Sequence, residues 1–204
     1  VAFLGVPVSD AFGNANGYAG RSKCGSLGYA MVDAQYAEYV VVLTEALENY
    51  PNVPASLHQD QVDAVVLVDE VGDPSKIGAG ETRMTTNPKE LLLASHTAKV
   101  IEHSGLFKEG FSIQTGSGGA SLATTVFLSE KMEEKGITAS FGLGGITGTM
   151  VYMLKRGLIK TILDVQSFDE FAAKSLGENK NHIEISANEY ANPSSKGASV
   201  KQLD

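Results

Sequence analysis

Gly110-Phe-Ser-Ile-Gln-Thr-Gly-Ser-Gly-Gly-Ala-Ser121 and Ile137-Thr-Ala-Ser-Phe-Gly-Leu-Gly-Gly-Ile-Thr-Gly148 are two stretches of one design, about 26 residues apart. Each opens on a strand-like run, passes through glycines and enters a helix-like run. The strands are expected at 111–115 and 137–141, and the helices at 120–135 and 147–156. The rhythm continues with a strand at 160–166, a helix at 168–176 and a strand at 182–186. Strand alternating with helix means a parallel sheet with right-handed crossovers, hence an α/β fold. In such a sheet all strand ends share one edge, and that edge is where ligands bind.

The glycines give this edge a candidate chemistry. Gly116, Gly118 and Gly119, like Gly142, Gly144 and Gly145, would let the backbone approach a ligand with no Cβ in the way. The helix that follows each loop would aim unpaired N–H groups at an anion. In the first loop Thr115, Ser117 and Ser121 add hydroxyls, and in the second Thr147 caps a helix or touches substrate. Gln166, at the end of the third strand, is expected in the same cleft, and Ser167 reads as a helix cap in the box Ser167-Phe-Asp-Glu170. A phosphate, carboxylate or thioester cradle and a pair of tight strand-to-helix turns both remain open readings. The first loop lacks the third glycine of a dinucleotide fingerprint and the Gly-Lys-Ser/Thr of a phosphate loop.

Working outward, Asn87-Pro-Lys-Glu90 is a helix start, with Asn87 as cap, Pro88 at the first position and Glu90 three past the cap. That helix is expected to run to about His103, with Gly105 beyond it. Gly136, Gly157 and Gly177 stand where three further helices should end. Before residue 86 the chain is α/β but less regular. Apolar runs at Val1–Val8, Tyr39–Thr44 and Ala64–Asp69 read as strands and Gly25–Ala37 as a short helix. Arg83, a lone cation among hydroxyl residues, is either a carboxylate fork or a surface residue of a linker. Asn192, in the polar stretch Asn188–Ser195, either reaches the cleft or stays in a surface loop. His58, His96, His103 and His182 are scattered without a zinc spacing, so no metal site is expected.

Across its 204 residues the chain is 43% hydrophobic and 20% charged, with a net charge of −8. That balance fits a globular protein and argues against nonspecific nucleic-acid binding. The single cysteine, Cys24, allows no intrachain disulfide and suits a reducing, cytoplasmic setting. No run approaches the roughly 20 apolar residues of a membrane-spanning helix. The sequence starts in mid-strand without Met and stops in polar Lys201-Gln-Leu-Asp204, which reads as a segment excised from a longer protein.

Several strings together resemble the alpha subunit of bacterial citrate lyase. They are Asp10-Ala-Phe-Gly-Asn-Ala-Asn-Gly17, Cys24-Gly-Ser-Leu-Gly28, Val68-Asp-Glu-Val-Gly-Asp73, Asn87-Pro-Lys-Glu-Leu-Leu92 and Phe111–Ala123, with Ala139–Gly148, Asp164–Asp169 and Tyr190-Ala-Asn-Pro193. The resemblance covers almost the whole chain. It implies a parallel-sheet fold of CoA-transferase type, with residues 1–86 ending one such domain and 87–204 beginning a second. It also implies an activity: moving an acyl-carrier thiol from an acetyl group to citrate, giving citryl thioester and acetate. The implied partners are citrate, an acetyl thioester, an acyl carrier subunit and a lyase subunit in an oligomeric complex. No tightly bound cofactor is implied, because the CoA-like group is carried by the acyl carrier. Gly144, Gly145 and Gln166 would be catalytic. Thr115, Gly116, Ser117, Gly118, Gly119, Ser121, Thr147, Arg83 and Asn192 would bind substrate or the CoA-like arm. Many CoA-transferases carry a nucleophilic Glu in a Ser-Glu-Asn-Gly string. This chain has Ser140-Phe141-Gly142-Leu143 in its place, which implies direct transfer. A sugar-phosphate isomerase or sensor domain, and a segment that only carries assembly contacts, are the competing readings.

Overall fold

The structure is a computed structural model that describes residues 1–78 and 82–204. Strand β1 (Ala2–Val6) is followed by β2 (Val8–Asp10), β3 (Ala15–Asn16), helix α1 (Gly28–Tyr36), β4 (Val40–Thr44), β5 (Leu47–Glu48) and β6 (Ala64–Leu67). The apolar run at Val1–Val8 is thus two strands in different sheets, divided at Pro7, which has no N–H for a ladder. Strands β1, β4 and β6 pair in parallel in the order β1-β4-β6, and β3-β2-β5 form a smaller sheet. The apolar run at 64–69 does form a strand, but at the sheet edge, where it leaves Val66 and Leu67 exposed.

The second half contains α2 (Pro88–Glu102), β7 (Ser112–Gln114), α3 (Gly119–Lys135), β8 (Ala139–Ile146), α4 (Gly148–Lys155), β9 (Ile159–Ser167), α5 (Glu170–Glu178), β10 (His182–Glu184) and α6 (Ala187–Ala191). Its four strands lie in the order β10-β9-β8-β7, every pair parallel. The expected parallel sheet is therefore present, with its strand ends on one edge.

Local signals account for several boundaries. Asn87 caps α2 through its side chain on Lys89 N–H, and Pro88 takes the first position. Gly136 ends α3 in the left-handed conformation, which costs a residue without a Cβ little. Two expectations fail. Gly177 lies inside α5 rather than beyond it, where its missing side chain leaves room for the Tyr18 backbone. The cap of α5 is Asp169, accepting from Ala172 N–H, while Ser167 still belongs to β9.

One sheet face carries Ile113, Ile146 and Ile162 under α2–α5, with Leu128, Met132, Met150 and Met153 as the main filling. The other face carries Leu143 and Val165, covered by Tyr190 of α6 and by Val200 and Leu203. Helix α1, from the first half, also packs on β9 and α6. It comes so close that a Cβ on Gly28 would overlap the Val165 and Ile185 carbonyls. Between α2 and α3, Glu102 accepts from Lys131 and Lys135, whose ammonium groups hold its carboxyl down at about 2.

Candidate functional site

The C-terminal edge of the four-stranded sheet is closed on one side and open on the other. The closed side lies over β9 and β10, where the segment Cys24–Gly28 crosses. Ser26 Oγ donates to the Asp164 carbonyl at 2.8 Å, and Ser26 N–H donates to Ser167 Oγ at 3.2 Å. Glu184, at the end of β10, accepts from Leu27 N–H and from Ser56 Oγ. Burial, reinforced by the nearby Asp164 carboxylate, raises the Glu184 carboxyl above its ordinary value. Burial pushes the Cys24 thiol up to about 11, so it stays a neutral packing group.

Beneath this junction runs a polar chain that the sequence did not reveal. His182 Nε2 lies 3.0 Å from Asp164 Oδ2, and His182 Nδ1 lies 3.0 Å from Ser175 Oγ. Ser167 Oγ donates to the same Asp164 oxygen at 2.6 Å. All four residues are buried. Spacings of 7 and 18 residues hide the partners of the histidine. The trace in the sequence is Asp164 itself, a carboxylate set between the apolar Leu163 and Val165 of β9.

The open side lies at the ends of β7 and β8. Helix α3 begins here with Gly118 as its cap residue and no side-chain cap. The first N–H satisfied within the helix is that of Leu122, on the Gly118 carbonyl. The N–H groups of residues 119–121 therefore meet no side-chain acceptor among the described residues. Gly118 itself has open space where a Cβ would stand. Thr115 Oγ1 is buried beside the loop without a partner among the described residues. Gly116, Ser117 and Ser121 complete the turn.

Arg83 and Thr85 line this loop from the linker. A Cβ on Gly119 would stand 2.9 Å from the Arg83 carbonyl and from Thr85 N. Gly119 is thus kept small by the protein's own backbone, not by a ligand. The Arg83 side chain is exposed and joins no ion pair among the described residues.

The second glycine stretch is not a loop. Gly142, Gly144 and Gly145 lie inside β8, paired to β9 with a bulge between Gly144 and Gly145. Each glycine accommodates a neighbour. Met150 packs over Gly142, the Gln114 side chain over Gly144, and the Phe168 ring over Gly145. Nor is the start of α4 an empty anion cradle, because Gly148 N–H donates to the Asp169 carboxylate. Thr147 is only 2% exposed and makes no side-chain cap bond. Gly145 and Gln166 are register partners, and Gln166 is exposed beside the open edge. Asn192 accepts from Ser194 N–H within its own turn. The residue of that region that reaches β7 is Tyr190, whose hydroxyl accepts from Gln114 Nε2 at 2.8 Å.

This packing gives a first test. In Gly145→Ala the new methyl would overlap the Phe168 ring. The variant should lose about 1–3 kcal/mol, the usual range for overpacking. Chemical denaturation of the double variant Gly145→Ala/Phe168→Ala should show less than the sum of the two single losses. A strictly additive result would mean that the ring is not what keeps position 145 small.

With this geometry in hand, comparison with known proteins decides the family. The profile described as "Citrate lyase, alpha subunit (CitF)" matches residues 1–204. The chain belongs to the citrate lyase alpha subunit family. It is 67% identical to the citrate lyase alpha chain of Klebsiella pneumoniae and 66% identical to that of Escherichia coli (strain K12), in each case over all 204 residues. The chain spans about 40% of the length of these relatives. A crystal structure of the putative citrate lyase alpha subunit of Streptococcus mutans, in complex with citrate, superposes with a TM-score of 0.94 at 57% identity. It covers 99% of this chain and 40% of that one. At 17% identity, a 4-hydroxybutyrate CoA-transferase from Porphyromonas gingivalis shares the fold, with a TM-score of 0.55 over 90% of this chain and 43% of that one. This chain thus shares its fold with that CoA-transferase, in keeping with the resemblance carried by the sequence strings.

Proposed function

We propose that this chain is the central segment of a subunit that moves an acyl-carrier thiol from an acetyl group to citrate, yielding a citryl thioester and acetate. Residues 1–86 then end one CoA-transferase-like domain and residues 87–204 begin the next. The observation that carries the reading is the correspondence, over 99% of the chain, with a subunit crystallised with citrate. The uncapped first turn of α3 supports it chemically. Thioester exchange builds negative charge on a carbonyl oxygen, and fixed N–H donors stabilise such charge. The partners in this reading are an acyl carrier subunit, which brings the CoA-like arm, and a lyase subunit in an oligomeric cytoplasmic complex.

The transfer is direct. A citrate carboxylate oxygen attacks the acetyl carbonyl and the thiolate leaves. The thiolate then attacks the citryl carbonyl of the mixed anhydride, and acetate leaves with the oxygen that citrate supplied. The carboxylates near the sheet edge favour this route. Asp169 is held by Gly148 and Ala172 N–H, Asp164 by Ser167 and His182, and Glu184 by Leu27 and Ser56. Proximity then supplies much of the rate.

A single turnover of the full-length subunit with carboxylate-18O citrate and acetyl carrier tests both parts. Citryl thioester should form, and the first acetate released should carry 18O. Unlabelled first-turnover acetate, with label in a protein carboxylate, would establish a covalent route instead. Absence of citryl thioester would remove the proposed activity altogether.

A further inference from the structure

A groove of about 510 Å³ lies beside the open edge, separate from the first turn of α3. Its described lining residues are Thr82 of the linker, Val126 of α3, Gly148, Thr149, Val151, Tyr152 and Lys155 of α4, and Asp169 and Phe171 at the start of α5. Gly148, Val151, Tyr152 and Lys155 follow one face of α4 at positions i, i+3, i+4 and i+7. The groove therefore runs the length of that helix, with Val126 and Phe171 as its walls. Its size falls in the range of small-ligand sites.

We infer that this groove holds the pantetheine stretch of the acyl carrier's CoA-like arm, with the phosphate end at Lys155 and the thioester end at Thr82. The inference rests on the proposed transfer. Three observations select this occupant and its direction. The middle of the groove is apolar, from Val126, Val151 and Phe171, while Thr149 and the Tyr152 hydroxyl, which accepts from Arg156 and keeps its own O–H to donate, offer hydrogen bonds along the way, which suits an arm of methylenes interrupted by amides. The charge is one-sided: Lys155 joins no ion pair among the described residues, whereas its neighbour Arg156 is bound to Glu133. Asp169, the one carboxylate in the described lining, stands at the opposite end and is held by backbone N–H groups. Finally, the Thr82 end continues into the linker, whose next residues press on Gly119 at the first turn of α3. An arm laid in this direction delivers its acyl end to the uncapped N–H groups. Phe171, 72% exposed, and Tyr152, 52% exposed, are then rims of an occupied site rather than idle surface aromatics.

Two substitutions in the full-length subunit test this, each read by calorimetric CoA binding and by steady-state kinetics. Thr149→Trp fills the groove and should weaken CoA binding at least tenfold. It should raise the KM for acetyl-CoA and acetyl-pantetheine alike and leave the KM for citrate unchanged. Lys155→Glu should raise the KM for acetyl-CoA and leave that for phosphate-free acetyl-pantetheine unchanged. Wild-type CoA binding in a folded Thr149→Trp protein would overturn the groove assignment, and equal effects of Lys155→Glu on both thioesters would overturn its direction. If Thr149→Trp keeps CoA binding and instead prevents assembly with the other subunits, the groove is a subunit contact and the assignment fails. If the wild-type protein binds CoA in a Thr149-dependent way but makes no citryl thioester, the groove stands and the proposed transfer fails.

Discussion

Gly118→Asp should cost the full-length subunit roughly 10²–10³-fold in transfer rate, the scale on which removing a fixed oxyanion donor acts. Position 118 is the cap residue of α3, with φ −67° and ψ 153°, a conformation open to any L-residue. A Cβ there meets nothing within 4 Å. An aspartate at this position can accept from the N–H groups of the first turn, as Asn87 does in α2. That bond takes the donors away from a substrate and puts a negative charge where a second anion would have to sit. The same bond should hold the helix as well as before or better, by roughly a few tenths of a kcal/mol. Activity and stability should therefore move apart: transfer lost, thermal midpoint unchanged or raised. Gly118→Ala supplies the control, since it adds a methyl without an acceptor and should keep most of the activity. A fully active Gly118→Asp protein would mean that the first turn of α3 is only a turn. Gly119 cannot serve in this role, because a side chain there strikes the Arg83–Thr85 backbone and would disturb the linker whatever the ligand does.

The largest effect on stability is expected at Asp164. Its carboxylate is 0% exposed and serves both Ser167 Oγ and His182 Nε2. In Asp164→Ala these buried groups lose their common partner. Leaving a buried polar group without its partner costs about 1–3 kcal/mol, and here two groups, Ser167 Oγ and His182 Nε2, are left. Because Ser167 also accepts from Ser26 N–H, the damage should reach the segment Cys24–Gly28 that closes the sheet edge. Hydrogen exchange should show faster opening of residues 24–28 as well as of β9 and β10. Asp164→Asn keeps one acceptor oxygen and should recover part of the loss. A change below about 1 kcal/mol in Asp164→Ala, the scale of one ordinary hydrogen bond, would show that the chain of buried polar groups contributes little to holding the two halves together.

Much of the architecture was legible in the order of residues. The strand-helix alternation after residue 86 predicts a parallel sheet, and its four strands lie in one. Asn87-Pro88 and Gly136 mark helix boundaries through local chemistry, a side-chain acceptor, a fixed φ and a tolerated left-handed turn, none of which depends on distant residues. The strings that carry the family resemblance are likewise a property of sequence.

The tertiary structure decided what each glycine is for. In one dimension Gly118, Gly119, Gly142 and Gly145 look alike, because a missing side chain does not say what fills the space. In three dimensions that space holds the linker backbone at Gly119, Met150 at Gly142 and the Phe168 ring at Gly145, and stays open only at Gly118 among these four. Pairing with β9 carries β8 through glycines that by propensity alone read as a loop, since ladder and packing outweigh intrinsic preference in a central strand. Asp169 settles the difference between the two helix starts, occupying the N–H of Gly148 and leaving the first turn of α3 free. His182, 18 residues from Asp164 along the chain, becomes its partner only because β10 lies beside β9. Local rules act over a few residues and can be read from sequence. Who occupies a gap, and which buried groups satisfy each other, depends on contacts that exist only once the chain has closed on itself.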